Sequence, residues 1–390
     1  MEKMFPQIRT EDMKKFPYYY LLKICIVFGY SKIVKLLNVV CIIITSSTIV
    51  LQVYYLKQNF SKELILKYGC GISLTIYTIA SMLVEFLIEQ KTKKLLNEAG
   101  TILWPVNFCG VKVEKLILKR VTVMNIIYYF MSAWFALMGI IMLPIWGDHS
   151  EWLLCDVISN EYFETRWKIL YFACSCFSFP VIAFSSIRLP VILLCTILQT
   201  HMQIILINQK LNQISEQMGN LNNIKLVDDK CYQKRIFEDL RLCVSHHGKI
   251  KKWLNKVLKL VQSIMPLYII LGCLNFISLL FFASDGLQNA SNILKARLCV
   301  VLIVCCLVLS MFAEAGQALS DETSGVFDTL LTCPWYLWDK NNKKVLSIFL
   351  SNSFQPDSIS VAGITLNYDF AVALLKTSSS YALVLYNMKN

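Results

Sequence analysis

The stretch Asn367–Asn387, NYDFAVALLKTSSSYALVLYN, decides how this chain is read. Its 21 residues are enough to span a bilayer as helix, because about 20 residues at 1.5 Å each cross the hydrocarbon core. One side is apolar. On the other, Asp369, Lys376, Thr377, Ser380 and Asn387 fall on or near one face at helical spacing. Hydrocarbon does not tolerate such a stripe without a partner, whereas water does. A membrane helix with one wet stripe has the character of a pore wall.

The rest of the chain supplies a membrane for that helix to cross. It has 390 residues, 56% hydrophobic and 16% charged, with a mean hydropathy of +0.53. That balance fits a polytopic membrane protein and not a soluble enzyme. Apolar runs mark spans at about 33–57, 64–88 and 121–146, from 167, at 254–283, from 293, and at 367–387. The expected fold class is an all-α membrane protein with seven transmembrane helices. The first twenty residues, MEKMFPQIRTEDMKKFPYYY, are charged and lack a short apolar core. No secretory signal peptide is expected there, and the first span acts as its own insertion signal.

Lysine and arginine set the orientation. The segment before the first span and the second-to-third, fourth-to-fifth and sixth-to-seventh connections together hold 28 of the 38 basic residues, and the opposite loops hold 8. The N-terminus is therefore expected inside and the C-terminus outside. Two N-x-[ST] sequons, at Asn59 and Asn289, both fall in loops assigned to the outside and are candidate glycosylation sites. The remaining outer loop, 147–166, is acidic and reads as an untethered external loop.

Two spans are too long for the bilayer. The fourth continues apolar from Trp167 to about Ile207, with Arg188 at the inner interface and Pro190 a possible kink. The sixth continues past Glu314 through Leu319, Thr323, Val326, Phe327, Leu330 and Leu331 in an amphipathic pattern. The fifth has a long amphipathic approach, and Asp339 to Phe349 can form a short helix after Pro334. An apolar helix outside the bilayer needs burial in protein, so a compact cytosolic anchor is expected. The chain accordingly divides into a cytosolic N-terminal segment (1–32), spans one to four with the ligand pocket (33–188), cytosolic anchor extensions (189–260), spans five and six (261–313), a further anchor region with the short helix (314–363), and the pore-lining helix (364–390). Two joints read as non-helical, Met218 to Asp229 and Ser353 to Gly363.

Other chemistry is unsupported. The formal charge of +12 reads as loop lysines that set topology, so no nucleic-acid partner is expected. Most of the 15 cysteines lie in apolar runs, where they act as small hydrophobes. No CxxC pair occurs, and neither a metal nor a cofactor is expected. His246-His247 reads as a solvated or interfacial pair. No HExxH or nucleophile elbow argues for an enzyme. Paired mid-membrane charges in repeated halves, which a transporter would carry, are missing. The Asp-Arg-Tyr and Asn-Pro-x-x-Tyr motifs of G-protein-coupled receptors are also missing.

Residues 316–387 carry a resemblance. GQALSDETSGVFDTLLTCPWY, with Gly316, Ser320 and the Cys333-Pro334-Trp335-Tyr336 block, leads into a basic short helix and then QPDSISVAGITLNYDFAVALLKTSSSYALVLYN. Pro356, Ala362-Gly363, Phe370, Leu375-Lys376 and Ser380-Tyr381 follow a pattern that resembles the insect odorant receptors, with weaker similarity at Phe16 to Tyr20 and around His246. The fourth-to-fifth connection is shorter than in the family's co-receptor, so the chain looks like a ligand-tuning subunit. Ser380-Tyr381 with Asn387 stands where gustatory receptors have Thr-Tyr and a glutamine, which leaves a gustatory-type channel as the alternative. A seven-helix G-protein-coupled receptor is the more distant one.

The resemblance implies a non-selective cation channel in the plasma membrane of olfactory sensory neuron dendrites, gated by a small volatile odorant. It further implies a heterotetramer with the co-receptor, joined through the anchor helices and the last helix, with monovalent and divalent cations as permeants and lipids around it. Thr377, Ser380, Val384 and Asn387 recur at three and four and share one side. By the family pattern Val384 sits at an outer hydrophobic constriction, with Asn387 just outside it. Lys376 can snorkel, pair with Asp369 one heptad earlier, or face water. An apolar, aromatic odorant pocket in the outer half of the bundle is expected from Ile72, Ile76 and Tyr77, from Phe135, Met138 and Met142, and from Cys174, Phe177 and Ser178.

Overall fold

The computed structural model describes residues 29–143, 145–147, 150–216, 227–286, 290–361 and 363–389. Helix α1 is Lys32–Gln58 and α2 is Lys62–Ile102; a 3-10 turn at Val106–Cys109 leads into α3, Val111–Ile141. A short α4, Leu154–Tyr162, precedes the long α5, Thr165–Glu216, and α6, Lys230–Gly286. Helix α7 is Asn292–Thr332; a 3-10 turn at Trp335–Leu337, α8 (Lys340–Ser353), two short strands, β1 (Ser360–Val361) and β2 (Ile364–Thr365), and α9 (Tyr368–Lys389) follow.

Short polar side chains start these helices by accepting a bond from a first-turn amide that has no partner within the helix. Ser31, Ser61 and Ser291 accept from Val34, Leu64 and Leu294, and Asp339 accepts from Asn342 at the head of α8. Strands β1 and β2 are antiparallel, with Ser360 opposite Thr365 and Val361 opposite Ile364. The chain turns between them with Gly363 at φ +81°, a conformation that favours glycine. This hairpin occupies the non-helical joint that leads into α9.

Seven stretches of the described residues are long and apolar enough to cross a membrane. Six fall on expected spans. The seventh is Val191–Glu216, the continuation of α5; 94% of its apolar window is buried, so protein and not lipid surrounds it. Helix α9 is not in that set, because its polar stripe dilutes its apolar face. With Val191–Glu216 assigned to the core and α9 counted in its place, the architecture is an all-α membrane protein of seven spans. The backbone of α5 stays helical through Pro190. Helix α2 runs well past residue 88 and α3 begins before residue 121, so both also extend beyond their apolar runs.

The extensions meet at the end of the bundle that carries most of the lysines and arginines. Ile207, Leu211 and Ile214 of α5, Ile236 and Leu240 of α6, Val326 and Leu330 of α7, and Leu346 and Phe349 of α8 share one buried core. Gln233 binds this end together: its side chain donates to the Leu337 carbonyl at 2.9 Å and accepts from the Asp339 amide at 2.9 Å. Where this core meets the bundle, Arg188 is buried. It pairs with the equally buried Glu85 at 2.6 Å, donates to the Gly29 carbonyl, and lies 4.5 Å from the centre of the Tyr30 ring. A buried charge needs such a partner, so this clamp holds α1, α2 and α5 in register.

The far end differs from the untethered loop read from its acidity. Residues 152–163 fold onto the bundle: Trp152 is 1% exposed, and a Cβ at Gly71 would come within 2.6 Å of its carbonyl oxygen. Glu151 accepts from the Ser291 hydroxyl at 2.9 Å, and buried Arg297 donates to the carbonyls of Ile141 and Trp146. Acidity here serves tethering as well as solvation.

Candidate functional site

A cavity of about 360 Å³ lies inside the bundle, walled by α1, α2, α3, α5, α6 and α7 and roofed by Trp152, Leu153 and Cys155. Five of the residues expected to form a ligand pocket line it: Tyr77, Phe135, Met138, Met142 and Ser178. Four do not. Ile72 packs against a separate cluster of Tyr55, Tyr68, Leu154 and Ile158, Ile76 and Phe177 are 41% and 42% exposed on the outside of the bundle, and half-buried Cys174 is off the wall.

The difference is one of helical phase. Helix α2 presents Leu74, Thr75, Tyr77 and Thr78 to the cavity, and α5 presents Tyr171, Ser175, Ser178, Phe179 and Ile182. The sequence reading also omits the walls from α6 and α7, among them Tyr268, Asn275, Val304 and Phe312. A signal for the first two exists: they are polar residues seven apart, hence on one face, in an otherwise apolar span.

Most hydroxyl groups on the wall are already engaged. Thr45 donates to the Cys41 carbonyl at 2.7 Å, Thr75 to Gly71 at 2.8 Å and Thr78 to Thr75 at 2.8 Å, the local back-bonding that satisfies small polar residues in apolar helices. Tyr268 donates to Ser81 at 3.1 Å and Tyr171 to Asp156 at 2.6 Å. Tyr77 differs. Its ring meets Tyr268 edge-on, with centroids 5.8 Å apart, while its hydroxyl makes no hydrogen bond to any described residue. It leaves a polar handle for a ligand in an apolar chamber, beside Gln52 Oε1 and Trp152 Nε1, which line the same wall and also lack a hydrogen-bond partner among the described residues.

The cavity extends to the final helix, where Leu366, Phe370 and Leu374 line it. Leu374 belongs to the packed face of α9, with Ala371, Ser378, Ala382 and Leu385; Ser378 and Ala382 are 1% and 5% exposed. Small residues there let α9 approach its neighbours closely. The opposite face is open: Thr377, Ser380, Val384 and Asn387 are all exposed, as are Asp369 and Lys376. Among the described residues no ion pair joins Lys376 to Asp369 or to another acid. At its start α9 is tied to α7. The Tyr368 hydroxyl donates to Glu314, and the Leu366 carbonyl sits over Gly316 so closely that a Cβ there would lie 2.0 Å from it.

The remaining candidates are placed as follows. Asn59 is exposed in the turn between α1 and α2, and Ser61 of its sequon caps α2; Asn289 lies outside the described residues. The pair His246-His247 is buried within the basic end and not solvated. His246 stacks on Trp104 at 3.7 Å and hydrogen-bonds Gln203 at 3.0 Å, and His247 packs against Phe349. Burial pushes both imidazoles down, to about 3 and about 4, so both are neutral. Among the described residues no group of three or more His, Cys, Asp or Glu is placed to hold a metal ion.

Comparison with known proteins follows the same lines. The family model described as 7tm Odorant receptor matches residues 110–378. Among solved structures the chain is similar to the insect olfactory receptor OR5 from Machilis hrabei, with 11% identity and a TM-score of 0.67 over 91% of this chain and 88% of that one. The same receptor in complex with eugenol matches at 14% identity and a TM-score of 0.62, over 92% and 89% of the two chains. At these identities the likeness is one of fold. Among curated proteins none matches the chain.

Proposed function

The chain belongs to the 7tm odorant receptor family, and from that premise we propose that it is the ligand-tuning subunit of an odorant-gated, non-selective cation channel. One observation carries the reading: the cavity and an open polar stripe meet on adjoining faces of the same helix. Phe370 and Leu374 of α9 face the cavity, while Thr377, Ser380, Val384 and Asn387 face away from the bundle. A chamber of about 360 Å³ suits one small apolar molecule, and the related receptor of similar fold has been solved with eugenol. A molecule that fits better when α9 is displaced shifts the population toward the displaced state by its differential affinity alone.

In this reading the basic end faces the cytosol and the C-terminus faces outside. The stripe of α9 lines one sector of a central pore, shared with co-receptor subunits held through the anchor helices. Val384 supplies an apolar constriction that closes by dewetting, and Asn387 meets ions just outside it. Monovalent and divalent cations permeate, and the complex sits in the plasma membrane of olfactory neuron dendrites. The test is expression with and without an olfactory co-receptor, with current recorded across a panel of volatiles. Current from some volatile, in the presence of the co-receptor, is expected; none from any volatile despite surface expression would overturn the proposal. In the same complex Val384→Ala should raise leak or change rectification, and unchanged currents would remove Val384 from the gate.

A further inference from the structure

Lys376 sits near the middle of α9, which runs from Tyr368 to Lys389, and is therefore near the bilayer midplane. It is exposed, and no described acid pairs with it. At 100° per residue, Asp369, Lys376, Ser380 and Asn387 fall within a narrow band. That band is diametrically opposite the packed positions Ala371, Ser378, Ala382 and Leu385. A charge at that depth on a face turned away from its own bundle is costly unless water reaches it. The three ways for such a lysine to be satisfied thus reduce to one: Asp369 does not reach it, and the midplane is the worst position from which to snorkel.

We propose that Lys376 projects its charge into the aqueous passage and is the residue through which this chain limits cation flow. The inference rests on the pore reading above. A single ammonium several ångströms from a pore axis lowers the local cation concentration roughly twofold at physiological salt, and four would lower it more than tenfold. A passage walled by four copies of this chain would therefore conduct cations poorly. Exchanging each copy for a subunit that carries no positive charge at this depth would recover about a factor of two. The electrostatics of one residue thereby argue for the kind of partner: a subunit of like fold whose last helix is neutral or acidic where Lys376 stands.

The experiment measures the basal current of the chain co-expressed with an olfactory co-receptor, before and after a tenfold dilution of external NaCl. Lys376→Gln should raise single-channel conductance roughly twofold per copy of this chain and make the reversal potential shift further negative on dilution, toward the limit of a purely cation-selective pore. Lys376→Arg should behave as the parent. A companion arm places cysteine at Thr377, Ser380 or Asn387 and applies positive and negative thiol-reactive sulfonates, with the parent as the control for native cysteines. If Ser380→Cys current is modified but Lys376→Gln changes neither conductance nor reversal potential, the lysine proposal is overturned and the pore reading stands. If none of the three cysteines responds in surface-expressed protein, the pore reading falls and takes this inference with it.

Discussion

At the scale of the residue, the chain shows how an apolar chamber keeps a polar handle. The threonines that line it bond their own helix, so they add shape without adding unsatisfied groups. Tyr77 does not. Replacing it by phenylalanine removes one hydroxyl and leaves the ring contact with Tyr268. For an oxygenated volatile that opens the channel, Tyr77→Phe should raise the half-maximal concentration about three- to tenfold, the worth of one hydrogen bond. A hydrocarbon of the same skeleton should be unaffected. An equal loss for both would assign Tyr77 to shape alone. The histidine pair makes a second claim. Both imidazoles are held neutral by burial, at about 3 and about 4 against an ordinary 6.5. A depressed folded value means that the pair's stabilisation is complete above 6.5 and is lost as pH falls from there toward 4 and 3. The detergent-purified protein should therefore melt at a lower temperature at about pH 5 than at about pH 7.5. Substituting both histidines by glutamine should shrink that difference, and an undiminished difference would place its cause elsewhere. None of this was legible in the letters His-His, because burial depends on Trp104 and Phe349, far away in sequence.

At the scale of the element, the polar stripe of α9 was legible. Its polar and packed faces follow from residue types at intervals of three and four, and the structure exposes the first and buries the second, with apolar Val372, Leu375 and Leu383 exposed as well. Cavity-facing phase on α2 and α5 was less legible. Both of these helices are apolar nearly all round, so outward-facing Ile76 and Phe177 look no different in sequence from residues turned inward. The hairpin before α9 was visible only as a break at Pro356 and Gly363, because two-residue strands leave no alternation to read. What fixes that hairpin is Gly316 on α7, where the Leu366 carbonyl occupies the space of a Cβ at 2.0 Å. Alanine is otherwise the better helix former, so the sign of Gly316→Ala depends on that contact. It should destabilise by about 1–3 kcal/mol, the usual cost of overpacking, and lower the surface level of the complex. Gly69→Ala is the control, since nothing lies within 4 Å of its Cβ position; equal behaviour of the two variants would deny the contact its role.

At the scale of the whole molecule, the bundle has two anchored ends, and between them the polar face of α9 is exposed. The basic end is held by a buried core across α5, α6, α7 and α8 and by the Arg188–Glu85 clamp. The far end is held by Arg297 and the Glu151–Ser291 contact. The long apolar run 191–216 announced the first of these in the sequence, since an apolar helix beyond the bilayer has to be covered. The second gave no sign, because Arg297 runs to backbone carbonyls that no side-chain pattern marks and Glu151 meets a serine far away in sequence. Between the anchors, α9 is in contact with the cavity through Leu374 while its other face is open. Ligand contacts made through Phe370 and Leu374 are the ones that can differ between closed and open positions of α9, and only differential contacts move an equilibrium. Contacts made through Phe135 on α3 lie away from α9 and hold the ligand in either state. Leu374→Ala should therefore lower the maximal volatile-evoked current several-fold, with a smaller change in half-maximal concentration. Phe135→Ala should do the reverse, raising the half-maximal concentration and leaving the maximum near that of the parent. If Leu374→Ala merely shifts the concentration as Phe135→Ala does, α9 is one more wall of the chamber, and the coupling between chamber and stripe must run through α6 or α7.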